Sequence, residues 1–418
     1  MTQESLFRQV LNPVNRPNPY PIYAQLREQP VALQEDGAYV ISTYKHVSTL
    51  LHDPRISSDM RKSDQGARIP APQDGREVPE PPFLFLDPPN HDRLRRLVVN
   101  KFTPAQVEGL REQIVQTVKR HLDALDQKKQ FDVVDDLAYP LPVTVICEML
   151  GVPSEDEQRF HEWADILASA LDPGQNTTEE GQKRFMEAMD QMRQYMIALL
   201  AARREHPSDD LLSELITGNT PSEYMTDQEL ISTAVLLLIA GHETTVNLIT
   251  NGMLTLLRNP DVLERLRQDP ELVVGIVEEV LRYDPPVQFR LRTTLTDIEV
   301  AGTTIPKGAT IVLVLASGSR DPERFPHADR FDPEREDNQH LGFGGGIHYC
   351  VGAPLARLEA QIVLAELARR LENPRLAIDP PHYRDNAALR GPEHLLVNFD
   401  GLKETGPTTL VHEVQSSF

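Results

Sequence analysis

Basic residues, cysteines and long apolar runs are scarce in this chain of 418 residues. Lys and Arg total 42 against 63 Asp and Glu, which gives a net charge of −21. Nucleic-acid binding needs basic patches and a favourable overall field, so this charge argues against a nucleic-acid partner. The only two cysteines are Cys147 and Cys350. We expect Cys147 to be a core residue and expect no disulfide.

The apolar runs are too short to indicate a membrane span. Residues 234–241 and 311–316 are typical of them, whereas a spanning helix needs roughly 20 apolar residues. The first five residues also lack the basic and then apolar pattern of a signal peptide. We therefore expect a soluble, cytoplasmic protein without a membrane partner.

No Ser/Gly-rich linker, charge block or internal repeat divides the chain, which predicts one large domain or two intimate lobes. Apolar residues at three- and four-residue spacings predict helices over residues 104–125, 182–204, 227–258, 260–267, 270–283 and 354–371. Short strands are predicted at residues 39–42, 298–300 and 310–314, with turns at Gly302 and 306–308. The class is therefore mainly α with small β-sheets.

A glycine-rich bend presents Cys350 immediately before a predicted helix. Residues 343–352 read Phe-Gly-Gly-Gly-Ile-His-Tyr-Cys-Val-Gly. Glycines let backbone N–H groups approach a sulfur, and a helix N-terminus favours negative charge. A lone cysteine is more often a small buried hydrophobe, and structural zinc needs four Cys or His ligands, of which only His348 is near. The pattern suits a buried thiolate that holds iron.

This bend resembles the haem-ligating loop of cytochromes P450, Phe-Gly-x-Gly-x-His-x-Cys-x-Gly, at every defined position. The resemblance extends over nearly the whole chain, with the family's motifs in order. It implies the cytochrome P450 fold, a triangular prism with a long central helix over haem b. It also implies one domain over residues 1–418, with a helix-rich main lobe, a small β-rich lobe and no fused reductase. Cys350 is the implied iron ligand, and the implied cofactor-binding loop includes Phe343, Gly344, His348 and Gly352.

The longest predicted helix, 227–258, carries a second unusual segment. Thr226 and Glu229 form a capping box, and the helix runs for about 48 Å at 1.5 Å per residue. A leucine-rich run then gives way to Gly-His-Glu-Thr-Thr at 241–245. Gly costs about 1 kcal/mol against Ala in a helix interior, and threonine hydroxyls can bond back to a carbonyl. Either the threonines merely line a kink or the lost stability serves a function.

The same segment resembles the oxygen-binding groove of the family, Ala-Gly-x-(Asp/Glu)-Thr, through Ala240, Gly241, Glu243 and Thr244. On that resemblance Thr244 hydrogen-bonds dioxygen or an adjacent water, and Glu243 helps to relay protons from solvent. Both are implied catalytic residues. His242 occupies the variable position and is assigned no catalytic role.

Two further groups of charged residues match family motifs. Glu279 and Arg282 share a helix face, and the resemblance implies that Arg335 completes a structural triad, with Arg324 and Arg330 as alternatives. We expect a buried ion network that fixes the cysteine loop. The residues implied to bind the two haem propionates are His91, Arg95, Arg292 and His348. A helix rich in arginine is otherwise more often a solvated face.

An apolar pocket for a small apolar substrate is expected at Leu237, Val287, Phe289 and Leu291, although these residues could equally be core. The loop 60–82 is too long to be only a turn and is a candidate mobile lid.

The resemblance implies a haem-thiolate monooxygenase that inserts one atom of O2 into an apolar substrate. Because no reductase domain fits in the chain, electrons are expected from a ferredoxin or flavodoxin with its reductase. Arg93, Arg96 and Arg357 are the candidate docking contacts. An H2O2-driven peroxygenase and a non-catalytic haem ligand carrier or sensor remain alternatives. The Glu243–Thr244 pair favours the monooxygenase, since the alternatives need no proton relay.

Overall fold

The computed structural model describes residues 4–64, 80–168, 179–217 and 224–403. Helices make up most of it. In chain order they are α1 Leu6–Leu11, α2 Tyr20–Glu28, α3 Tyr44–Leu51, α4 Asn90–Val99, α5 Pro104–Glu108, α6 Arg111–Asp123, α7 Pro140–Leu150, α8 Glu157–Ala168, α9 Glu179–Glu205, α10 Leu211–Thr217, α11 Asp227–Arg258, α12 Pro260–Gln268, α13 Leu272–Tyr283, α14 Leu315–Ser319 and α15 Ala353–Arg370.

The strands are short and form small sheets. They are β1 Val31–Leu33, β2 Tyr39–Ile41, β3 Ile56–Ser57, β4 Gln130–Asp132, β5 Arg290–Thr294, β6 Ile298–Val300, β7 Thr303–Ile305, β8 Thr310–Leu313, β9 Leu371–Glu372, β10 Arg375–Leu376, β11 Leu396–Asn398 and β12 Gly401–Leu402. The largest sheet has the order β1-β2-β8-β5-β3, in which β2 and β8 run parallel and the other pairs antiparallel. The others are β10-β11-β4, β12-β9 and the hairpin β6-β7.

Most predicted elements are present, with differences at their ends. The helix predicted over 104–125 is divided into α5 and α6, because the backbone turns at Gly109 and Leu110 between them. Several of the short strands were not predicted, and β7 is one of them. It pairs with β6 across a turn in which Ala301 and Gly302 both have positive φ, at 49° and 76°. Two left-handed residues in succession match the twist of a tight hairpin.

The helix α11 is the centre of the helical region. Its capping box is present: Thr226 Oγ accepts from Glu229 N–H, and the Glu229 side chain accepts from Thr226 N–H. It packs against α7, α8, α9, α13 and α15. By length and composition alone this helix could cross a membrane. However, 78% of its most apolar 18-residue stretch is buried inside the protein. Its apolar character is therefore that of a core helix.

The five-stranded sheet packs apolar side chains on both faces. Ile41 and Leu313 point to one face, and their neighbours Val40 and Val312 point to the other. This alternation follows from the two-residue period of a strand. A cavity lies where α11, β5 and the loop before α15 meet.

Candidate active site

The cavity contains about 1480 Å³ of empty space, including some that is open to solvent. One wall is the middle of α11, at Leu237, Ala240, Gly241 and Thr244. Other walls come from β5 and from the cysteine loop 342–352, and most of the lining is apolar. Concave apolar sites with a few convergent polar groups are the usual form of ligand sites.

The cysteine loop is held by its own backbone. Cys350 N–H donates to Phe343 O at 3.1 Å, and Gly344 N–H donates to Leu341 O at 2.8 Å. Gly344 and Gly346 have φ of 72° and 64°, which L-residues rarely adopt. The Arg95 guanidinium donates to Tyr349 O at 2.6 Å and so ties α4 to the loop. The fold thereby holds Cys350 at the cavity, where its side chain is exposed to the empty space.

Opposing effects act on the Cys350 thiol. Burial raises its pKa above the ordinary value. A backbone hydrogen bond from Gly352 and the charges of Arg290, Arg95 and Arg357 lower it. These groups all stabilise a thiolate, and a metal ion bound to the sulfur would deprotonate it outright. The site thus fits a thiolate that becomes stable when it ligates a metal.

Gly346 lies where the cysteine loop packs closely against the end of α3. A Cβ at Gly346 would lie 2.1 Å from Leu51 O, whereas a Cβ at Gly344 would meet nothing within 4 Å. Both substitutions by alanine carry the left-handed backbone cost of about 1–2 kcal/mol. We expect Gly346→Ala to lower the free energy of unfolding by more than this, and Gly344→Ala by no more. Urea unfolding compares them, and equal losses would contradict the close contact with Leu51.

The wall formed by α11 presents Thr244 to the cavity. The Thr244 hydroxyl donates to Ala240 O at 2.7 Å, one turn earlier. A Cβ at Gly241 would meet no atom within 4 Å, so packing within the protein does not explain this glycine. Glu243 is buried, and His242 packs its ring edge-on against Tyr139 at 4.5 Å between centroids. Thr244 and Gly241 therefore border open space, while their two intervening neighbours are buried.

The four residues predicted to bind propionates converge at one side of the cavity. The rings of His91 and His348 lie 4.3 Å apart between centroids, and Arg95, Arg292 and His348 line the cavity. Among the described residues, His91 Nε2 and His348 Nδ1 have no hydrogen-bond partner. Burial, with the charges of Arg292, His91 and Arg95, lowers the pKa of His348 to about 3. Burial and the charge of Arg290 lower the pKa of Arg292 to about 10.

Within the part of the chain that the structure describes, only one of these four basic groups contacts a carboxylate: His91 Nδ1 lies 2.7 Å from Asp92 Oδ1. Among the described residues, no carboxylate forms a hydrogen bond or ion pair with Arg95, Arg292 or His348. Buried cations are ordinarily paired, so this side of the cavity fits a ligand with more than one negative charge. The two propionates of haem b satisfy that requirement. The open space beside Gly241 and the thiol of Cys350 fit its ring and its iron.

Two of the four predicted substrate-pocket residues lie elsewhere. Leu237 and Val287 line the cavity. Phe289 instead packs against Phe7, with ring centroids 5.3 Å apart, and Leu291 packs against the same apolar cluster. The prediction was wrong for these two because side chains alternate along β5 and its approach, so Leu291 faces away from the cavity. The segment Phe83–Phe85 lines it as well. Of the predicted lid, residues 65–79 lie outside the described residues.

The sequence interpretation missed two ionisable residues that line the cavity, Arg290 and Glu359. Strand alternation could have found the first, since Arg290 stands two residues before Arg292. Helical spacing could have found the second, because Leu355, Ala356 and Glu359 share one face of α15. Glu359 Oε1 has no hydrogen-bond partner among the described residues. Burial raises the pKa of Glu359 to about 8.

The predicted triad forms a buried network. Arg282 donates to both carboxylate oxygens of Glu279 at 2.8 Å, and both side chains are fully buried. Arg335 Nε lies 3.4 Å from Glu279 Oε2. Of the alternatives, Arg324 instead pairs with Asp337. Among the described residues, Arg330 contributes only its carbonyl to the network, which accepts from Arg282 at 3.0 Å.

The residue preceding the triad glutamate connects α13 to the cysteine loop. Glu278 accepts from Arg357 Nε at 2.6 Å and from Arg357 Nη2 at 2.9 Å. Burial alone would raise the pKa of Glu278, but hydrogen bonds from Arg357 and His340 hold it at about 2. The Arg357 guanidinium also lies 4.6 Å from the Phe343 ring centroid and 3.3 Å from Tyr349 Oη. The helix α13 thus braces both ends of the loop.

Two of the three predicted docking arginines are engaged within the protein. Arg93 is paired with Glu229, and Arg357 with Glu278. Arg96 is exposed on α4. The prediction treated the three as equivalent surface charges because sequence spacing does not show long-range ion pairs.

Comparison with known proteins identifies the family to which this site and fold belong. The family model described as Cytochrome P450 matches residues 30–376. The chain belongs to the cytochrome P450 family. It is 40% identical to Cytochrome P450 107B1 of Saccharopolyspora erythraea over 392 residues, covering 90% of this chain and 93% of that protein. It is 39% identical to Cytochrome P450 monooxygenase PikC of Streptomyces venezuelae, covering 94% of each.

The crystal structure of ligand-free CYP164A2 from Mycobacterium smegmatis is similar throughout. It has a TM-score of 0.87 and 43% identity, and the match covers 94% of this chain and 99% of that one. The mainly helical cytochrome P450 fold is therefore confirmed. As a cytochrome P450, the protein is a monooxygenase that binds haem b and uses O2 with an organic substrate.

Proposed function

We propose that this cytochrome P450 hydroxylates an apolar organic substrate, with Cys350 as the ligand of the haem iron. The observation that carries the proposal is the position of the Cys350 thiol, which faces the cavity beside Gly352 N–H and three arginines. A thiolate ligand pushes electron density onto the iron and so favours O–O cleavage. We assign His91, Arg95, Arg292 and His348 to the propionates.

Thr244 and Glu243 are the proposed proton-handling pair. The Thr244 hydroxyl gives its hydrogen to Ala240 O at 2.7 Å, which leaves the oxygen as an acceptor directed at the cavity. An acceptor there can hold a water beside dioxygen. Glu243 is buried and is not among the residues that line the cavity, and its proposed role is to carry protons between the exterior and that water. A peroxide-driven enzyme receives its protons with the oxidant, and a carrier needs none, so the pair supports the monooxygenase.

Replacing Thr244 with alanine is expected to uncouple oxygen consumption from substrate oxidation. Oxygen consumption should continue, while coupling of reductant use to product falls about tenfold, which is the scale of one lost hydrogen bond. The readout is hydrogen peroxide released per reductant consumed, which should rise correspondingly. Full coupling in this variant would remove Thr244 from the mechanism.

Thr250 supplies the matched control for this experiment. Its hydroxyl donates to Val246 O at 2.9 Å, which repeats the Thr244 geometry further along α11. Thr250 is fully buried and is not among the residues that line the cavity. The variant Thr250→Ala should therefore keep the wild-type peroxide yield, which separates the chemistry at Thr244 from a general effect on the helix.

Electrons are proposed to come from a ferredoxin or flavodoxin with its reductase in the cytoplasm. The shuttle is expected to be acidic and to dock near the cysteine loop. Arg96 is the one of the three predicted contacts that is exposed. Its charge would act mainly on the rate of association and on its salt dependence.

A further inference from the structure

Arg290 is a cation in the cavity whose side chain has no partner among the described residues. It is the first residue of β5 and pairs through its backbone with Leu313 of β8. Its side chain lines the cavity on the same face of the strand as Arg292. In the part of the chain that the structure describes, the Arg290 guanidinium forms no hydrogen bond or ion pair, and the Cys350 sulfur is the one opposing charge that acts on it. Burial lowers its pKa from the ordinary value, and the Cys350 sulfur acts in the opposite direction.

No acidic residue of the cavity lining offsets this charge. Within the described residues, Glu359 is the only carboxyl group that lines the cavity, and the rise of its pKa to about 8 keeps it largely protonated at neutral pH. The Cys350 sulfur interacts with Arg290 at longer range. Its negative charge is shared with iron once the haem is bound.

The two carboxylates of the haem do not require Arg290 as a partner, because other basic residues are already assigned to them. Haem b has two carboxylates, and His91, Arg95, Arg292 and His348 already converge where those carboxylates are proposed to lie. Arg290 is therefore a surplus guanidinium. The lining around it is apolar, with Val287, Leu237 and Phe83 among its members. A cation in such surroundings is costly unless a ligand brings a negative charge to it.

We propose that Arg290 binds a carboxylate, and that the substrate is an apolar carboxylic acid whose acid group pairs with this guanidinium. A planar guanidinium matches a carboxylate through two parallel hydrogen bonds, whereas an apolar lining accepts the rest of the molecule. The inference that the bound acid is a substrate rests on the proposed function. The binding of a carboxylate by Arg290 is a property of the cavity and can be measured without turnover.

The test compares two probes that differ in one group, dodecanoic acid and 1-dodecanol, on the haem-loaded protein at pH 7.5. Calorimetry gives the dissociation constants, and the Soret shift locates each probe beside the haem. The wild type is expected to bind the acid about 10- to 100-fold more tightly than the alcohol, as a charge-assisted pair would provide. Arg290→Met should abolish that ratio without changing affinity for the alcohol, and Arg290→Lys should retain part of it.

Leu291→Met is the matched control, because Leu291 lies on the other face of β5, and it should keep the wild-type ratio. Equal affinities for acid and alcohol in the wild type, or an unchanged ratio in Arg290→Met, would overturn the proposal. The rate of haem loss shows whether the carboxylate that Arg290 binds is a haem propionate or belongs to the substrate. An unchanged ratio with faster haem loss would assign Arg290 to a propionate. Because no turnover is measured, failure of the monooxygenase function would leave these affinities intact.

Discussion

Replacing Arg282 with methionine is expected to lower the free energy of unfolding by about 3–5 kcal/mol. Arg282 donates to both oxygens of Glu279 and, through Nη1, to Ser319 O at 3.1 Å and Ala328 O at 2.8 Å. Without it, the Glu279 carboxylate would stay buried with only part of its compensation. Urea unfolding of the haem-loaded protein measures the loss, which should be accompanied by faster haem dissociation.

Arg324→Met is the control for this prediction. Arg324 forms a bidentate pair with Asp337 at 2.8 and 2.7 Å, but Asp337 is largely exposed, and exposed pairs contribute only about 0–1 kcal/mol. The double variant Glu279→Leu with Arg282→Met should lose less than the sum of the two single variants, because it removes both members of the pair and leaves Arg335 as the cation that loses its contact with Glu279. A loss in Arg282→Met no larger than in Arg324→Met would contradict the structural role of the network.

Replacing Cys350 with serine is expected to abolish monooxygenation, with a fall of roughly 1,000-fold or more, equivalent to about 4 kcal/mol of activation free energy. A hydroxyl supplies neither the charge nor the electron donation of a thiolate. Product formation with a reductase and ferredoxin is the measurement, normalised to bound haem so that cofactor loss is counted separately.

Cys147 provides the comparison for that variant. It is fully buried in the helical core on α7, and burial raises the pKa of its thiol far above the ordinary value. Cys147→Ala should therefore retain turnover per bound haem and change only stability. If Cys350→Ser retained activity while Cys147→Ala lost it, the ligand assignment would be wrong.

The parts of the site that are formed by residues close together in the sequence could be predicted from sequence patterns. The capping box of Thr226 and Glu229 places the start of α11 correctly, and two glycines of the cysteine loop, Gly344 and Gly346, adopt a positive φ that other residues rarely accept. The convergence of His91 with His348 was accessible only through the family resemblance, because nothing in the spacing of those residues joins α4 to the loop.

Contacts between residues that are far apart in the sequence could not be predicted from such patterns. The face of β5 that meets the cavity depends on its register against β8, so Phe289 and Leu291 were wrongly placed in the pocket. The pairing of Arg93 with Glu229 likewise joins residues far apart in the chain. A basic residue read alone is equally compatible with a docking surface and with an internal ion pair.

The central claim, that Cys350 holds a haem as its thiolate, is tested most directly by the absorption spectrum of the reduced protein with carbon monoxide. The wild type and Cys147→Ala are expected to show the far red-shifted Soret band of a thiolate-ligated haem, and Cys350→Ser is expected to lack it. A wild-type band at the unshifted position, or a red-shifted band that persists in Cys350→Ser, would contradict the assignment.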